Sequence, residues 1–318
     1  MTSPGRVHES LDAAAGRLQG GAMAIGNFDG VHLGHQALFA AVRRDAHGPA
    51  AALTFEPHPA RLLAPQYAPP LICARPRKRE LIAACGISDL IEQPFDKDFA
   101  STLPERFVEK IAATGIAEVV VGHDFTYGKA RAGTVASLRE SLAHRGLRLH
   151  EVAPVTVNGL VCSSTKVREF VLEGRVDAAE MILGRPFDLD GEVVQGAGRG
   201  RKLGWPTANI RTTNELLPAV GVYAVRARLL PGGAAIGGAA NLGLNPTFRP
   251  QVALAGAAGQ PPLSLEVHLL DFSEDIYGKR MRVEFIRRLR EERRFPNVES
   301  LKAQITQDVM QARELLSV

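Results

Sequence analysis

Apolar positions follow two different rhythms along this chain. In the first half, short continuous apolar runs alternate with helix-like stretches. Ala22-Met23-Ala24-Ile25, Ala50 to Phe55 and Glu118-Val119-Val120-Val121 read as buried strands, and Leu38 to Val42 as part of an apolar helix. Such runs predict a parallel sheet with helices on both faces, the doubly wound α/β arrangement. Ligands of these sheets bind at the carboxyl ends of the strands. Two short helices follow. One runs from about Thr165 to Glu173 and stops at Gly174; the other starts near Asp177, an N-cap with Glu180 three residues on, and stops at Gly184 before Pro186.

Beyond that point the rhythm becomes a two-residue alternation. Gly191 to Gln195, Gly221 to Leu229, Leu263 to Leu270 and Met281 to Ile286 read as strands punctuated by Gly and Pro. Leu263, Leu265, Val267 and Leu269 share one face, as do Met281, Val283 and Phe285. A closing helix puts Val298, Leu301, Ile305, Val309, Ala312 and Leu316 on one stripe. The prediction is a small antiparallel β-barrel with a helix packed on it. The boundary falls near Gly184 to Phe187, giving domains of residues 1–185 and 186–318. Ala255 to Pro262 reads as a local insertion, not a domain linker.

Composition narrows the setting more than the chemistry. At 318 residues the chain exceeds most single domains, and 45% hydrophobic with 23% charged residues suits globular cores. A net charge of +4 leans toward anionic partners, which nucleotides and nucleic acids satisfy alike. Cys73, Cys85 and Cys162 are odd in number and lack a Cys-x-x-Cys pair. That disfavours a disulfide framework or a structural zinc site and suits a reducing compartment. No apolar run approaches the ~20 residues of a membrane span, and the start of the chain lacks a signal-peptide pattern. The expectation is a cytoplasmic protein without a membrane partner.

Candidate chemistry concentrates in two stretches. The first strand runs into Gly26-Asn27-Phe28-Asp29-Gly30-Val31-His32-Leu33-Gly34-His35. The glycines permit a tight turn, and a helix then begins near His32 or Leu33. A helix start offers unpaired N–H groups and a positive dipole end to a phosphate. His32 and His35, three apart, can aim both imidazoles at one spot. There they can stabilise charge on an α-phosphate under in-line attack. Two other readings stay open: histidines satisfied structurally, or zinc ligands lacking a His-Glu-x-x-His frame and a nearby third ligand. Ser163-Ser164-Thr165 with Arg168 is either a helix cap beside a solvated charge or an anion clamp. In Glu56-Pro57-His58-Pro59 the prolines set a rigid loop, and His58 reads as structural.

The second stretch is Gly196-Ala197-Gly198-Arg199-Gly200-Arg201-Lys202-Leu203-Gly204-Trp205-Pro206-Thr207-Ala208-Asn209. Its glycines allow close backbone approach and its cations supply positive charge. It lacks the order of a Walker loop, so a basic surface loop or one touching nucleic acid stays open. Thr207 and Asn209 alternate a hydroxyl and an amide oxygen on one face, hard ligands suited to Mg²⁺ shared with ATP phosphates. Glu266 and His268 occupy the face of their strand opposite the leucines. That face is either solvent or a ligand cleft, where a carboxylate can take a proton from an attacking hydroxyl. The run Arg287 to Arg294 carries both charge signs and reads as a solvated surface.

His32-Leu33-Gly34-His35 resembles the His-x-Gly-His signature of the nucleotidyltransferase superfamily. The longer string around it resembles the N-terminal module of the bacterial bifunctional riboflavin kinase/FMN adenylyltransferase (FAD synthetase) family. So do Thr54-Phe55-Glu56-Pro57-His58-Pro59, Val121 to Gly128 and Ser163 to Arg168. Gly200 to Asn209 resembles the riboflavin kinase Gly-Arg-x-Leu-Gly-Phe-Pro-Thr-Ala-Asn block. Gly221 to Ala224, Asn241-Leu242-Gly243 with Pro246-Thr247-Phe248, and Leu265 to Phe272 match in order. The resemblance spans Gly26 to Arg313. Trp205 stands for the usual Phe, Asn245 stands where a long polar residue is common, and Ala255 to Pro262 is longer than usual.

The resemblance implies an α/β nucleotidyltransferase domain followed by a six-stranded riboflavin kinase-like barrel. It implies that ATP phosphorylates riboflavin to FMN and then adenylylates FMN to FAD, releasing pyrophosphate, with Mg²⁺ as cofactor. In the α/β domain, the ATP site would comprise Gly26, Asn27, Phe28, Gly34, Ser163, Ser164 and Thr165. His32 and His35 would hold the phosphates, Arg168 would neutralise the transferring groups, and Asp124 and Phe125 would line the flavin. In the barrel, Gly198, Arg199, Gly200, Arg201 and Lys202 would form a phosphate loop. Thr207 and Asn209 would hold the metal, and Glu266 would be the base on the ribityl 5′-hydroxyl. Riboflavin, FMN and ATP are the expected partners, with no nucleic acid. Two alternatives remain in view. One is a nucleotidyltransferase for another phosphorylated acceptor, which gives no reason for the C-terminal block; the other is a non-catalytic flavin or nucleotide sensor.

Overall fold

The computed structural model describes residues 5–45, 47–196, 198, 200, 204–244 and 263–317. They form two compact units. One takes the chain up to residue 70 together with 75–163; the other takes 71–74 together with the chain from 164 onward.

The first unit is built on a six-stranded sheet: β1 (Arg6–His8), β2 (Ala22–Ile25), β3 (Ala50–Glu56), β4 (Asp89–Pro94), β5 (Glu118–Gly122) and β6 (Arg148–Val152). The order is β1-β4-β3-β2-β5-β6, and every pairing is parallel. β2 and most of β5 are buried throughout, as continuous apolar runs require of central parallel strands. Met23, Ile25, Leu53, Val119 and Val121 pack into one core with Phe107, Val108 and Ile111 of the helix Pro104–Ala113. Burying each large side chain fully contributes about 1.5–3 kcal/mol.

Helix α1 (Leu33–Asp45) links β2 to β3 and extends well beyond its apolar stretch; helix α2 (Arg75–Ala84) precedes β4. The chain moves from β2 through β3 to β4, then returns to lay β5 on the other side of β2. The strand order therefore reverses between β2 and β5. At such a reversal a crevice opens at the carboxyl ends of the strands.

The second unit begins with α3 (Ser164–Leu172) and α4 (Val176–Leu183). Gly174 and Gly184 end them in the left-handed conformation, at φ 76° and 72°. Asp177 is not the N-cap of α4: Arg175 holds that place without a side-chain hydrogen bond, and Asp177 sits in the first turn. There its charge still favours the helix dipole.

Six strands follow: β7 (Phe187–Val194), β8 (Ala208–Thr212), β9 (Gly221–Leu230), β10 (Ile236–Leu244), β11 (Leu263–Leu269) and β12 (Arg280–Arg290). They close into an antiparallel barrel in the order β7-β8-β11-β10-β9-β12. Leu265, Val267, Met281, Val283 and Phe285 are buried, and Phe285 packs edge-on to Tyr223 at 5.3 Å. Helix α5 (Val298–Leu316) sets Ala312 and Leu316 against Ala224, while Val298 at its start is largely exposed. Among the described residues no helix is long and apolar enough to cross a membrane.

Candidate active sites

The crevice at the carboxyl ends of β2 and β5 holds the first site. Phe28 and Val31 adopt positive φ angles of 50° and 45° in the turn after β2. Non-glycine residues occupy that region only where surroundings over-determine it, and such strain gathers at functional sites. Phe28 is fully buried and meets Phe39 and, in a T-shaped arrangement, His35 at ring distances of 4.7 and 5.3 Å. The turn delivers His32 and His35 to one place, their rings stacked 3.7 Å apart. Gly34 makes the stacking possible: a Cβ there would lie 3.0 Å from the His32 ring and 3.2 Å from the Cys162 carbonyl oxygen.

Burial, the neighbouring His32 and the charge of Lys78 push the His35 pKa well below 6.5, so its ring is neutral at pH 7. Its Nδ1 is buried without a hydrogen-bond partner. Neutral imidazoles donate from one nitrogen and accept at the other, which suits them to orient phosphoryl oxygens without leaving a fixed charge.

A cavity of about 510 Å³ opens beside this turn. Gly26 and Asn27 line one part of it, and Asp124, Phe125, Tyr127 and Phe55 line others. Phe125 and Tyr127 stack nearly parallel at 5.9 Å. Flat aromatic walls of this kind suit a fused heteroaromatic ring. His58 also lines the cavity, and its Nδ1 accepts the Ala60 N–H at 3.2 Å, which agrees with a structural role.

The second site lies on the outer face of the barrel. Strand register assembles it: Asn209 of β8 and Asn241 of β10 both stand opposite Glu266 of β11. Opposed residues of an antiparallel pair point the same way. The Thr207 hydroxyl donates to Glu266 Oε2 at 3.2 Å. Glu266 therefore faces a cleft carrying Thr207, Trp205, Asn241 and His268, roofed by residues of α5, not bulk solvent. Gly196 and Gly200 approach the same groups closely. A Cβ on Gly196 would collide with the Asn209 amide, and one on Gly200 would lie 3.1 Å from the Thr207 hydroxyl. Thr207 lines three cavities. One contains Gly196, Gly198 and Asn209; another is walled by Val193, Leu269, Phe272 and Ile276; the third is the Glu266 cleft.

With both geometries in view, the chain can be set beside known proteins. The family model described as FAD synthetase matches residues 15–166, and that described as riboflavin kinase matches residues 183–316. The bifunctional riboflavin kinase/FMN adenylyltransferase of Pseudomonas fluorescens is 37% identical over 296 residues, 92% of this chain and 91% of that protein. The proteins of that name from Escherichia coli (strain K12) and Bacillus subtilis (strain 168) are 34% and 35% identical, over 94% and 91% of this chain and 94% and 90% of their own. The chain belongs to the bifunctional riboflavin kinase/FMN adenylyltransferase family. A crystal structure described as a macrolide-efflux protein from Streptococcus pneumoniae has the same fold, with a TM-score of 0.83 and 29% identity, covering 95% of this chain and 96% of that one.

Within this family frame, most expected residues can be located. Gly26, Asn27, Phe28 and His32 lie in the turn after β2, Gly34 and His35 follow in the first turn of α1, and Asp124 and Phe125 line the cavity beside them. Thr207, Asn209 and Glu266 converge across two strands. Ser163 ends the first unit; Ser164, Thr165 and Arg168 open α3 in the second. Arg199, Arg201, Lys202, Asn245, Pro246 to Phe248 and Ala255 to Pro262 lie outside the described residues.

Five residues gain from the fold a placement that the sequence reading did not give them. Asn241 joins Glu266 only through register. His268 binds the Pro206 carbonyl through Nδ1 at 2.9 Å; a carbonyl only accepts, so the ring carries its proton on Nδ1 and steadies the segment that ends in Thr207. In the arginine run, Arg290 and Arg293 both line the Glu266 cleft; Arg290 is held bidentately by Asp308 of α5, and Arg293 lies over Phe295 at 5.0 Å. Lys78, finally, is a buried cation near His35.

Proposed function

We propose that this protein makes FAD from riboflavin in two ATP-dependent steps, one at each site. In the barrel, the ribityl 5′-hydroxyl attacks the γ-phosphorus of ATP, its proton passes to the Glu266 carboxylate, and ADP leaves. Thr207 orients that carboxylate through its hydroxyl. The triphosphate belongs against the glycine loop, the adenine in the apolar cavity of Val193, Leu269 and Phe272, and the flavin in the cleft of Trp205, Asn241 and Phe295. Gly198, Arg199, Gly200, Arg201 and Lys202 are assigned to the phosphates.

In the α/β unit, a phosphate oxygen of FMN attacks the α-phosphorus of a second ATP, and pyrophosphate leaves. His32 and His35 orient the phosphates, with Gly26, Asn27 and Phe28 forming the turn and Gly34 the start of α1. The flavin ring is assigned to the aromatic cavity at Asp124 and Phe125. Ser163, Ser164, Thr165 and Arg168 keep the triphosphate-binding role that the resemblance implies. Positioning and charge neutralisation carry both steps.

The barrel's donor set fits Mg²⁺. Thr207 and Asn209 offer hard neutral oxygens beside a carboxylate, and such sparse sets suit an ion shared with substrate phosphates. When bound, the ion would neutralise charge developing on the β- and γ-phosphate oxygens. We assign adenylyl transfer to residues 1–185 and phosphorylation to 186–318. A cytoplasmic setting is supported by Cys73, Cys85 and Cys162, none of which forms a disulfide among the described residues.

The observation that carries this reading is the Thr207–Glu266 contact with Asn209 in register, in a chain that also stacks His32 on His35. The test is chromatography of products from riboflavin, ATP and Mg²⁺. FMN should form first and FAD follow; absence of both would end the reading.

A further inference from the structure

Lys78 sits where a lysine is costly. It is 7% exposed on α2, with Nζ 3.0 Å from Glu56 Oε2 and 3.4 Å from the Thr54 hydroxyl oxygen. Thr54, itself fully buried, donates that hydroxyl to the Asn27 carbonyl at 3.0 Å. A continuous relay thus runs from ammonium to hydroxyl to the backbone of the turn that presents His32 and His35. Glu56 compensates the charge, but a buried ion pair is often no more stable than an apolar pair of the same volume. Stability alone gives this lysine little reason to be there.

The charge of Lys78 reaches His35 and, with burial and His32, keeps that ring neutral. Among the described residues, the groups facing His35 are His32 in stacking contact, Phe28 in a T-shaped contact, and Lys78 from α2 with Glu56 of β3 behind it. Arg75 and Arg79 of α2 make a separate cluster on Glu92 of β4.

We propose that Lys78 is a positioning residue of the adenylyl-transfer site: through Thr54 it holds the Asn27 turn, and with it the paired imidazoles, in phosphate-binding geometry. The inference rests on the adenylyl-transfer reading above. Lys78 touches no substrate in this account; it acts through Thr54 and His35.

The experiment uses the full chain with FMN, ATP and Mg²⁺ for FAD formation, and riboflavin, ATP and Mg²⁺ for FMN formation. Lys78→Met should lower FAD formation by about 10²-fold, the scale of a 1 Å misplacement of reacting groups, mainly in kcat. FMN formation should stay within about twofold, the expectation for a change remote from the barrel. The His35 ring, followed by NMR, should titrate closer to 6.5 than in the parent chain, a change that lost packing alone would not cause. The double variant Glu56→Gln/Lys78→Met leaves no charge unpaired and should remain equally slow. Wild-type rates in Lys78→Met, or their recovery in the double variant, would overturn the proposal by reducing Lys78 to a partner for Glu56. Loss of FMN and FAD formation in both variants would overturn it too, since a role confined to one site leaves the other working. A parent chain that makes no FAD from FMN would instead overturn the adenylyl-transfer reading.

Discussion

The α/β site and the barrel site are both assigned an ATP triphosphate, yet one is built from imidazoles and the other around a carboxylate. The nucleophiles explain the contrast. A flavin 5′-hydroxyl must lose a proton as it attacks, so the barrel needs a base, and Glu266 stands there with Thr207 on its oxygen. The phosphate of FMN attacks as an anion and has no proton to give up. The α/β site needs groups that steady phosphates, and a neutral His35 serves without acting as a base of ordinary strength. With the proposed roles, one molecule separates acid–base work from charge positioning.

The sharpest way to break this contrast is Glu266→Ala. FMN formation from riboflavin should fall by about 10²–10⁴-fold, the usual contribution of a positioned base, while FAD formation from supplied FMN continues. His32→Ala or His35→Ala should do the reverse, lowering FAD formation by about 10²–10³-fold, as loss of a preorganised donor does, with FMN formation kept. Product chromatography on each folded variant reads both effects. If either change removed both reactions, the separation of roles would be wrong.

The two sites also differ in how openly the sequence displays them. The imidazole site is contiguous: Gly26 to His35 carries its turn, its helix start and both rings within ten residues. The barrel site is dispersed, and β10 gave no alternation because Gly237, Gly238, Ala239 and Ala240 have little apolar contrast. Without that strand Asn241 could not be placed beside Glu266. Parity put Glu266 on the outer face but could not tell cleft from solvent; α5 and Gly200 decide that. Lys78 was hidden for another reason. It lies in the run Arg75-Pro76-Arg77-Lys78-Arg79, which looks solvated, and only the fold turns one of its cations inward.

A smaller effect sharpens the comparison from the side of stability. Burial alone would raise the Glu92 pKa, but hydrogen bonds from Arg79 and Arg75 outweigh it and hold the carboxyl at about 2 instead of 4.5. A depressed carboxyl stabilises the fold fully above pH 4.5, and that stability is lost as pH falls toward 2. The shift corresponds to about 3 kcal/mol, and to about 1–2 once solvent screening of the half-exposed arginines is counted. Glu92→Gln should lower stability at pH 7 by that smaller amount and flatten its decline below pH 4.5, in denaturant unfolding followed by circular dichroism. Equal acid sensitivity in parent and variant would show that this cluster carries no such stability.

The central claim is that each pocket completes its own reaction in one chain. It is tested most directly by mixing equal amounts of Glu266→Ala and His35→Ala chains with riboflavin, ATP and Mg²⁺. Each variant alone should make FAD at only a small fraction of the parent rate, whereas the mixture should make it readily, because FMN released by the second feeds the first. A mixture that yields FMN but FAD no faster than the single variants, or either variant alone matching the mixture, would contradict the account.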